Sequence, residues 1–346
     1  MQNKTNKVKS LLLSIIKAIA IPLVVWIIME VIVSITTGTS VIANSADQKT
    51  LFRNLISSLA FTLALSTNLR HGRMDLSLGS QMYVGVIFGG NLALMFNWGG
   101  VGVLICAAAI GGLCGLVTGL IFVNLRILPM VLGLGMTLVF ECMCFAVNNQ
   151  QGVNLYGSPG VEILSNASFI ILIAVLIILV SSYLFQFSVF GFRYRAIQGS
   201  QKLASDAGIN IFNNCVKSYL IAGVLVACAG VFAAAYNGSL GPVLGMSSNG
   251  FVFSNMFPMV LGIWIGSFVR NNQIGILMGS LSITIFNIGL SKFGLSTSMQ
   301  SVILYSLFIL FVVYNTNIWK FTYAKKKRAR IALAESMLKQ QAALAK

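Results

Sequence analysis

Acidic residues are scarce in this chain: 7 aspartates and glutamates stand against 23 lysines and arginines, and charged residues of both signs make up 9% of 346 positions. A soluble domain carries roughly 25% charged residues. So little charge cannot cover a surface in water, which excludes an ordinary soluble globule. Histidine occurs once, at His71, so neither an HExxH zinc helix nor a metal cluster of histidines can be built. A lone histidine flanked by Arg70 and Arg73 reads as an interfacial residue rather than a catalytic base. No GxSxG elbow and no GxxxxGKS or GxxxxGKT loop occurs, so the chain has no loop of its own to cradle nucleotide phosphates. ATP-driven work would need a separate subunit to hydrolyse the nucleotide. The 6 cysteines (106, 114, 142, 144, 215 and 228) fall almost wholly within apolar runs and lack metal-ligand spacing. They read as small packing residues.

Hydrophobic residues make up 57% of the chain, and its mean hydropathy is +0.88. The apolar runs are uniform and long enough to cross ~30 Å of hydrocarbon, whereas barrel strands would be ~10 residues long and alternating. The chain is therefore read as an all-α polytopic membrane protein with about ten transmembrane helices. They are placed at 11–36, 51–69, 75–96, 100–124, 128–147, 163–187, 214–236, 251–269, 273–291 and 298–319. No cleavage site follows the first run, so it is expected to be retained as a span.

The net charge of +16 is distributed unevenly. With ten spans, one side receives Lys4, Lys7, Lys9, Arg70, Arg73, Arg126, Arg193, Arg195, Lys202, Lys217, Arg270 and the tail from Lys320; the other receives Lys49, Arg53 and Lys292. This is the positive-inside bias, and it puts both termini in the cytoplasm. No basic groove with interleaved aromatics appears, so nucleic acid is not a partner. The tail "AKKKRARIALAESMLKQQAALAK" reads as a helix with Ile331, Leu338 and Ala342 on one face, lying on anionic lipid or docking to a cytosolic protein. The organisation expected is a cytoplasmic N-terminus (1–10), a membrane domain (11–319) and a basic tail (320–346).

Glycines four apart (Gly111/Gly115/Gly119, Gly262/Gly266, Gly275/Gly279) point to close helix packing in lipid. Among the acids, Asp47, Glu162, Asp206 and Glu335 fall in loops or tail, and Glu30 lies near an outer helix end. Glu141 falls inside a span. A charge at mid-bilayer costs roughly 2.5–3.5 kcal/mol, so Glu141 either lines a pathway or is protonated or hydrogen-bonded within the bundle. Asp75, at the start of an apolar run, is read as the N-cap of the third span, bonding the amides near Ser77 and Leu78, with Arg70 and Arg73 partly neutralising it.

Three stretches resemble the inner-membrane permease subunits of ATP-binding-cassette importers for ribose, related simple sugars and the autoinducer-2 signal. They are "RMDLSLGSQM" (73–82), the loop "AIQGSQKLASDAGINI" (196–211) and "YLIAGVLVACAGVFAAAYNGSLGP" (219–242). The order and spacing fit over about residues 50–315. The resemblance implies the ABC-importer permease fold in a bacterial cytoplasmic membrane. It also implies a second permease subunit, ATPase subunits that carry ATP and Mg, and an extracytoplasmic solute-binding protein. The chain itself would hold no cofactor. Within the long internal loop 190–217, the segment Gly199, Leu203, Ala204, Asp206, Ala207, Gly208 and Ile209 would then be the helix that docks on the ATPase. Its small residues can offer a surface, and Gly208 can end the helix. Two features depart from the family: few glycines follow "FPMVLG" (257–262), and Glu141 stands near where many relatives have a basic or small residue.

Sugars need hydrogen-bonding groups and aromatic faces. Asn68, Gln81, Asn124, Glu141, Trp264 and Asn287 qualify by type for the pathway, and each can equally be a hydrogen bond within the bundle. Other solutes (branched-chain amino acids, nucleosides, a signal molecule) fit the same pattern. A different mechanism, an ion-coupled carrier using Glu141, also stays open.

Overall fold

The computed structural model describes residues 2–146, 150–269 and 271–344. Arg270, counted above in the charge bias, lies outside the described residues, as do the side chains of Lys4, Lys7, Lys9, Leu338 and Ala342. The chain divides into two units, Met1–Gly294 and Leu295–Lys346.

The first unit contains α1 (Gln2–Thr37), α2 (Ser45–Leu69), α3 (Leu78–Met95), α4 (Gly99–Leu125) and α5 (Pro129–Ala146). Then come α6 (Ala167–Gln186), two short helices α7 (Val189–Gly199) and α8 (Gln201–Asp206), α9 (Ile211–Asn237), α10 (Asn249–Val269) and α11 (Asn272–Lys292). The second unit is α12 (Thr297–Leu344), a single helix of 48 residues. The final span and the basic tail are thus continuous, because Ala, Leu, Lys and Gln propagate a helix past the membrane boundary. Likewise α1 runs into the segment taken as the N-terminal extension. Nine of the described helices are long and apolar enough to cross a membrane. The tenth long helix, α2, is less apolar because it begins at Ser45 and so carries Asp47, Lys49 and Arg53.

Packing explains where the small residues stand. The α4 and α9 helices share the most extensive contact. A side chain added at Gly223 would run into the Gly111 carbonyl, and one added at Gly115 into the Tyr219 carbonyl. Backbones approach this closely only where side chains are absent, and in lipid that close contact is what holds helices together. The α10–α11 pair repeats the device with Gly262 and Gly275. Around these pairs α2 and α3 lie innermost, and the buried run from Leu59 to Asn68 is unbroken.

The connections sort into two ends. At one end β1 (Val153–Asn154) pairs antiparallel with β2 (Ser239–Leu240), Val153 facing Leu240. The same end holds the Gly100 amide donating to Gly160 O at 3.0 Å, the Arg53 guanidinium donating to Ser165 O at 3.1 Å and the Lys292–Asp47 ion pair at 2.8 Å. At the other end the turn 70–77 and the segment α7–α8 pack together through His71 and Tyr194. They are called the sheet end and the helical-loop end below.

Candidate functional site

Three polar regions stand out from an otherwise apolar bundle. The first is a cavity of about 380 Å³ towards the sheet end, between α2, α9, α10 and α11. Asn54, Ser57, Ser58, Asn255, Thr284 and Asn287 line it with hydrogen-bonding groups, and Phe232, Tyr236 and Phe251 contribute aromatic faces. Ser58 donates to Asn255 Oδ1 at 3.0 Å, and the Asn255 amide nitrogen donates to Phe251 O at 2.9 Å. Deeper in the bundle Phe251 packs against Phe61 and Tyr83, with centroids 6.4 and 5.9 Å apart.

The second region lies at the centre of the bundle, where two non-helical segments meet. One is the inner end of the turn 70–77, from Asp75 to Ser77, the other the connection Gly241–Ser248 between β2 and α10. Val153 of β1 packs on Gly90, whereas Ser248 lies against Gly79. Those glycines are about 16 Å apart along α3, so the connection dives from the sheet end into the bundle. Irregular backbone at membrane depth needs protein partners for its amides. Glu141 supplies them: its carboxylate accepts from Met246 N at 2.8 Å and from Ser248 N at 2.9 Å, and the residue is 1% exposed. Thr137, one turn earlier on α5, donates its hydroxyl to Gly133 O at 2.8 Å and lies within 3.4 Å of both Leu76 O and Asn249 Oδ1. Of the readings left open for Glu141, the geometry is that of a hydrogen-bonded residue within the bundle, holding the start of α10.

Asp75 holds the start of α3 in a related way, but not as its N-cap. The N-cap is Ser77. Asp75 Oδ1 accepts from Ser77 N at 2.9 Å and from Ser77 Oγ at 2.6 Å, forming a turn two residues before the helix. Gln81 closes the group by donating to Ser77 Oγ at 2.8 Å and to Asp75 Oδ2 at 3.4 Å. The expected neutralisation by arginine is absent among the described residues. Arg73 stacks over the Phe122 ring instead, 5.8 Å from its centroid, and the Arg70 guanidinium faces the Asn272 amide oxygen at 2.5 and 2.7 Å.

The third region is the helical-loop segment. The helix anticipated from Gly199 to Ile209 is broken at Ser200, whose extended backbone separates α7 from α8 and whose side chain accepts from Leu203 N. Gly199 therefore ends α7 and does not belong to the short helix. Gly208 has φ +77, its amide bonds Ser205 O at 2.9 Å, and the Ile209 amide bonds Ala204 O at 3.0 Å. That is the left-handed glycine helix end, which any larger residue would strain. Leu203 is 70% exposed, and Asp206, Ala207 and Gly208 are exposed beside it. Ala204 is buried and Ile209 half-buried, so the surface on offer is smaller than expected.

This segment is tied to the bundle by Tyr194 of α7, which is 1% exposed. Its hydroxyl donates to Thr67 O at 2.6 Å, its carbonyl meets His71 Nε2 at 3.0 Å, and its ring packs 4.0 Å from the His71 ring. Burial pushes the His71 imidazole down to about 4, with Arg73 and Arg70 acting in the same direction. Arg195 donates to the last carbonyls of α6, Phe185 O at 2.9 Å and Gln186 O at 3.1 Å.

The remaining candidates scatter. Asn124 is exposed at the end of α4. Trp264 is half-buried on α10, edge-on to Phe268 at 4.9 Å. Asn68 is fully buried, and neither atom of its amide has a hydrogen-bond partner. Asn287 is exposed and lines the sheet-end cavity. Ser58, Asn255 and Tyr194 were not anticipated. Tyr194 lies between Arg193 and Arg195, which reads locally as a solvated loop, and Asn255 stands with Ser254 in an otherwise apolar run.

Comparison with known proteins follows the same lines. A family model described as branched-chain amino acid transport system / permease component matches residues 54–312. The chain is similar to the fructose import permease protein FrcC of Rhizobium meliloti, 24% identical over 252 residues and 69% of each chain. It is similar to the galactose/methyl galactoside import permease protein MglC of Haemophilus influenzae, 26% identical over 244 residues, 65% of this chain and 68% of that one. It is also similar to the ribose import permease protein RbsC of Escherichia coli K12, 24% identical over 259 residues, 72% of this chain and 78% of that one. No solved structure matches significantly.

Proposed function

The chain belongs to the branched-chain amino acid transport system / permease component family, and on that premise we propose that it forms the membrane pathway of an ATP-driven importer for a simple sugar or similar small polar solute. The observation that carries the reading is the sheet-end cavity, in which amides and hydroxyls alternate with aromatic rings. That mixture suits a ligand with many hydroxyls and apolar ring faces. The similar permeases named for fructose, galactose and ribose support the solute class.

The energy enters at the other end. Arg73, Arg126, Arg193, Arg195 and Lys202 gather at the helical-loop end, which makes that end cytoplasmic by the positive-inside bias. There α8 offers exposed Leu203 to a separate ATPase subunit that binds ATP and Mg. Tyr194 transmits its displacement to α2 at Thr67. Ser58, which lines the cavity, stands about 14 Å further along the same helix. A rigid α2 therefore links ATPase docking to the solute cavity. A second permease subunit and an extracytoplasmic solute-binding protein complete the importer, in a bacterial cytoplasmic membrane.

The test is uptake into proteoliposomes that contain the chain, its ATPase and its binding protein. Gly208→Trp and Leu203→Asp should each abolish ATP-driven uptake of labelled sugar, while ATPase-independent solute binding persists. Leu203 is exposed, so its variant removes the docking surface without disturbing the fold. Undiminished uptake by Leu203→Asp would overturn the coupling role. Uptake driven by an ion gradient without any ATPase would replace the importer with a carrier.

A further inference from the structure

A second cavity, of about 360 Å³, opens at the helical-loop end between the turn after α2, the last turn of α4, the first residue of α8 and the start of α9. Its charged walls are Arg73 and Arg126, and no carboxylate among the described residues lines it. Arg73 is 7% exposed. The nearest acid in sequence, Asp75, is turned away to Ser77 and Gln81. The one ion pair among the described residues lies at the other end, between Lys292 and Asp47. Both guanidiniums rest on aromatic faces, Arg73 over Phe122 at 5.8 Å and Arg126 over Phe212 at 6.0 Å. Such contacts orient the cations but compensate little of the charge.

One further feature favours an anion there. Ile211 and Phe212, which line the cavity, form the first turn of the 27-residue helix α9, so the positive end of its dipole faces the same space. His71 also lines it; its Nε2 donates to the Tyr194 carbonyl, which leaves Nδ1 an acceptor, so the ring offers an anion no proton and the attraction rests on the two guanidiniums and the helix end. Paired planar guanidiniums match the several oxygens of a phosphate better than the two of a carboxylate.

We propose that this cavity binds a phosphate oxyanion, carried either by a soluble phosphate monoester or by the headgroup of an anionic phospholipid. The volume suits a small ligand of that kind. Gln201 and Ile211 in its wall bracket the segment that reaches the ATPase, so an occupant ties that segment to the end of α4. This last consequence rests on the coupling role proposed above; the binding itself does not.

The test uses the full chain, delipidated in a neutral maltoside detergent. Binding is followed by calorimetry and native mass spectrometry with inorganic phosphate, a hexose 6-phosphate, and short-chain phosphatidylglycerol against phosphatidylcholine. The expected result is saturable binding of at least one phosphate probe, weakened about tenfold or more by Arg126→Gln and lost in Arg126→Glu. Arg193→Gln, outside the cavity, should leave it unchanged. Arg73→Gln should act like Arg126→Gln; because Arg73 is buried, the exposed Arg126 gives the deciding variant. Binding of the hexose phosphate alone identifies a soluble ligand, and retention of phosphatidylglycerol alone identifies lipid. No binding of any phosphate probe, or binding untouched by Arg126→Glu, overturns the proposal, whatever the outcome of the uptake assays.

Discussion

Helices α2 and α6 lie side by side and are built on opposite rules. In α6 nearly every residue is apolar, yet only Ile170, Ile177, Ser181 and Phe185 are buried, a single narrow stripe. In α2 the apolar signal is diluted by Ser57, Ser58, Thr62, Ser66, Thr67 and Asn68, yet every residue from Leu59 to Asn68 is buried. In water the more apolar helix would be the inner one. In lipid the order inverts: hydrocarbon solvates leucine as well as protein does, while hydroxyls and amides must find partners inside the bundle. Polarity within a span is therefore the mark of the interior.

The sharpest way to break this contrast is bulk at an interior contact. Gly223→Leu should destabilise the protein by more than about 3 kcal/mol, because the side chain meets the Gly111 backbone. Fluorescence-detected gel filtration would show aggregation, whereas Val180→Leu on the exposed face of α6 should elute as wild type. Next in size is Glu141→Leu, which leaves the buried Ser248 amide and the half-buried Met246 amide without acceptors and should remove about 3 kcal/mol of thermal stability. Glu141→Gln keeps one acceptor and should lose roughly half of that.

Acidification probes the interior at its helical-loop end. The folded His71 value of about 4 lies below the ordinary 6.5, so the unfolded chain takes up the proton first. Stability is complete above pH 6.5 and falls as the pH drops towards 4. Thermal melts across that window should be flatter for His71→Gln than for wild type; identical slopes would remove the histidine from the account. Tyr194→Phe loses one hydrogen bond, to Thr67 O, and should cost about 1 kcal/mol of stability. Its larger effect should be on ATP-driven uptake, since the link from α7 to α2 is loosened. The smallest effect belongs to the shell: Leu179→Ala on α6, exposed at 64%, should shift stability by less than about 0.5 kcal/mol.

Much of this was legible in the order of residues. The long helices of the described residues follow for the most part from apolar run length, the close packing of α4 from the spacing of Gly111, Gly115 and Gly119, and the Gly208 helix end from its local context. Asp75 and Glu141 show where such reading stops. One was taken for a helix cap and the other for a membrane acid of open role, yet each stabilises the start of a helix inside the bundle. Asp75 works through residues two and six positions away, so its region was identifiable and only its position in the turn was misjudged. The amides that Glu141 serves are more than a hundred residues distant, in a glycine-rich connection that reads as a surface loop.

The sequence by itself determined that the chain lives in lipid and crosses it repeatedly, because run length and scarcity of charge are one-dimensional properties that the bilayer tests directly. Only the tertiary structure decided what the polar residues in those runs do. Hydrogen-bond partners in a bundle come from distant helices, and it is their meeting that turned Ser58, Asn255 and Asn287 into one cavity and Glu141 into an anchor.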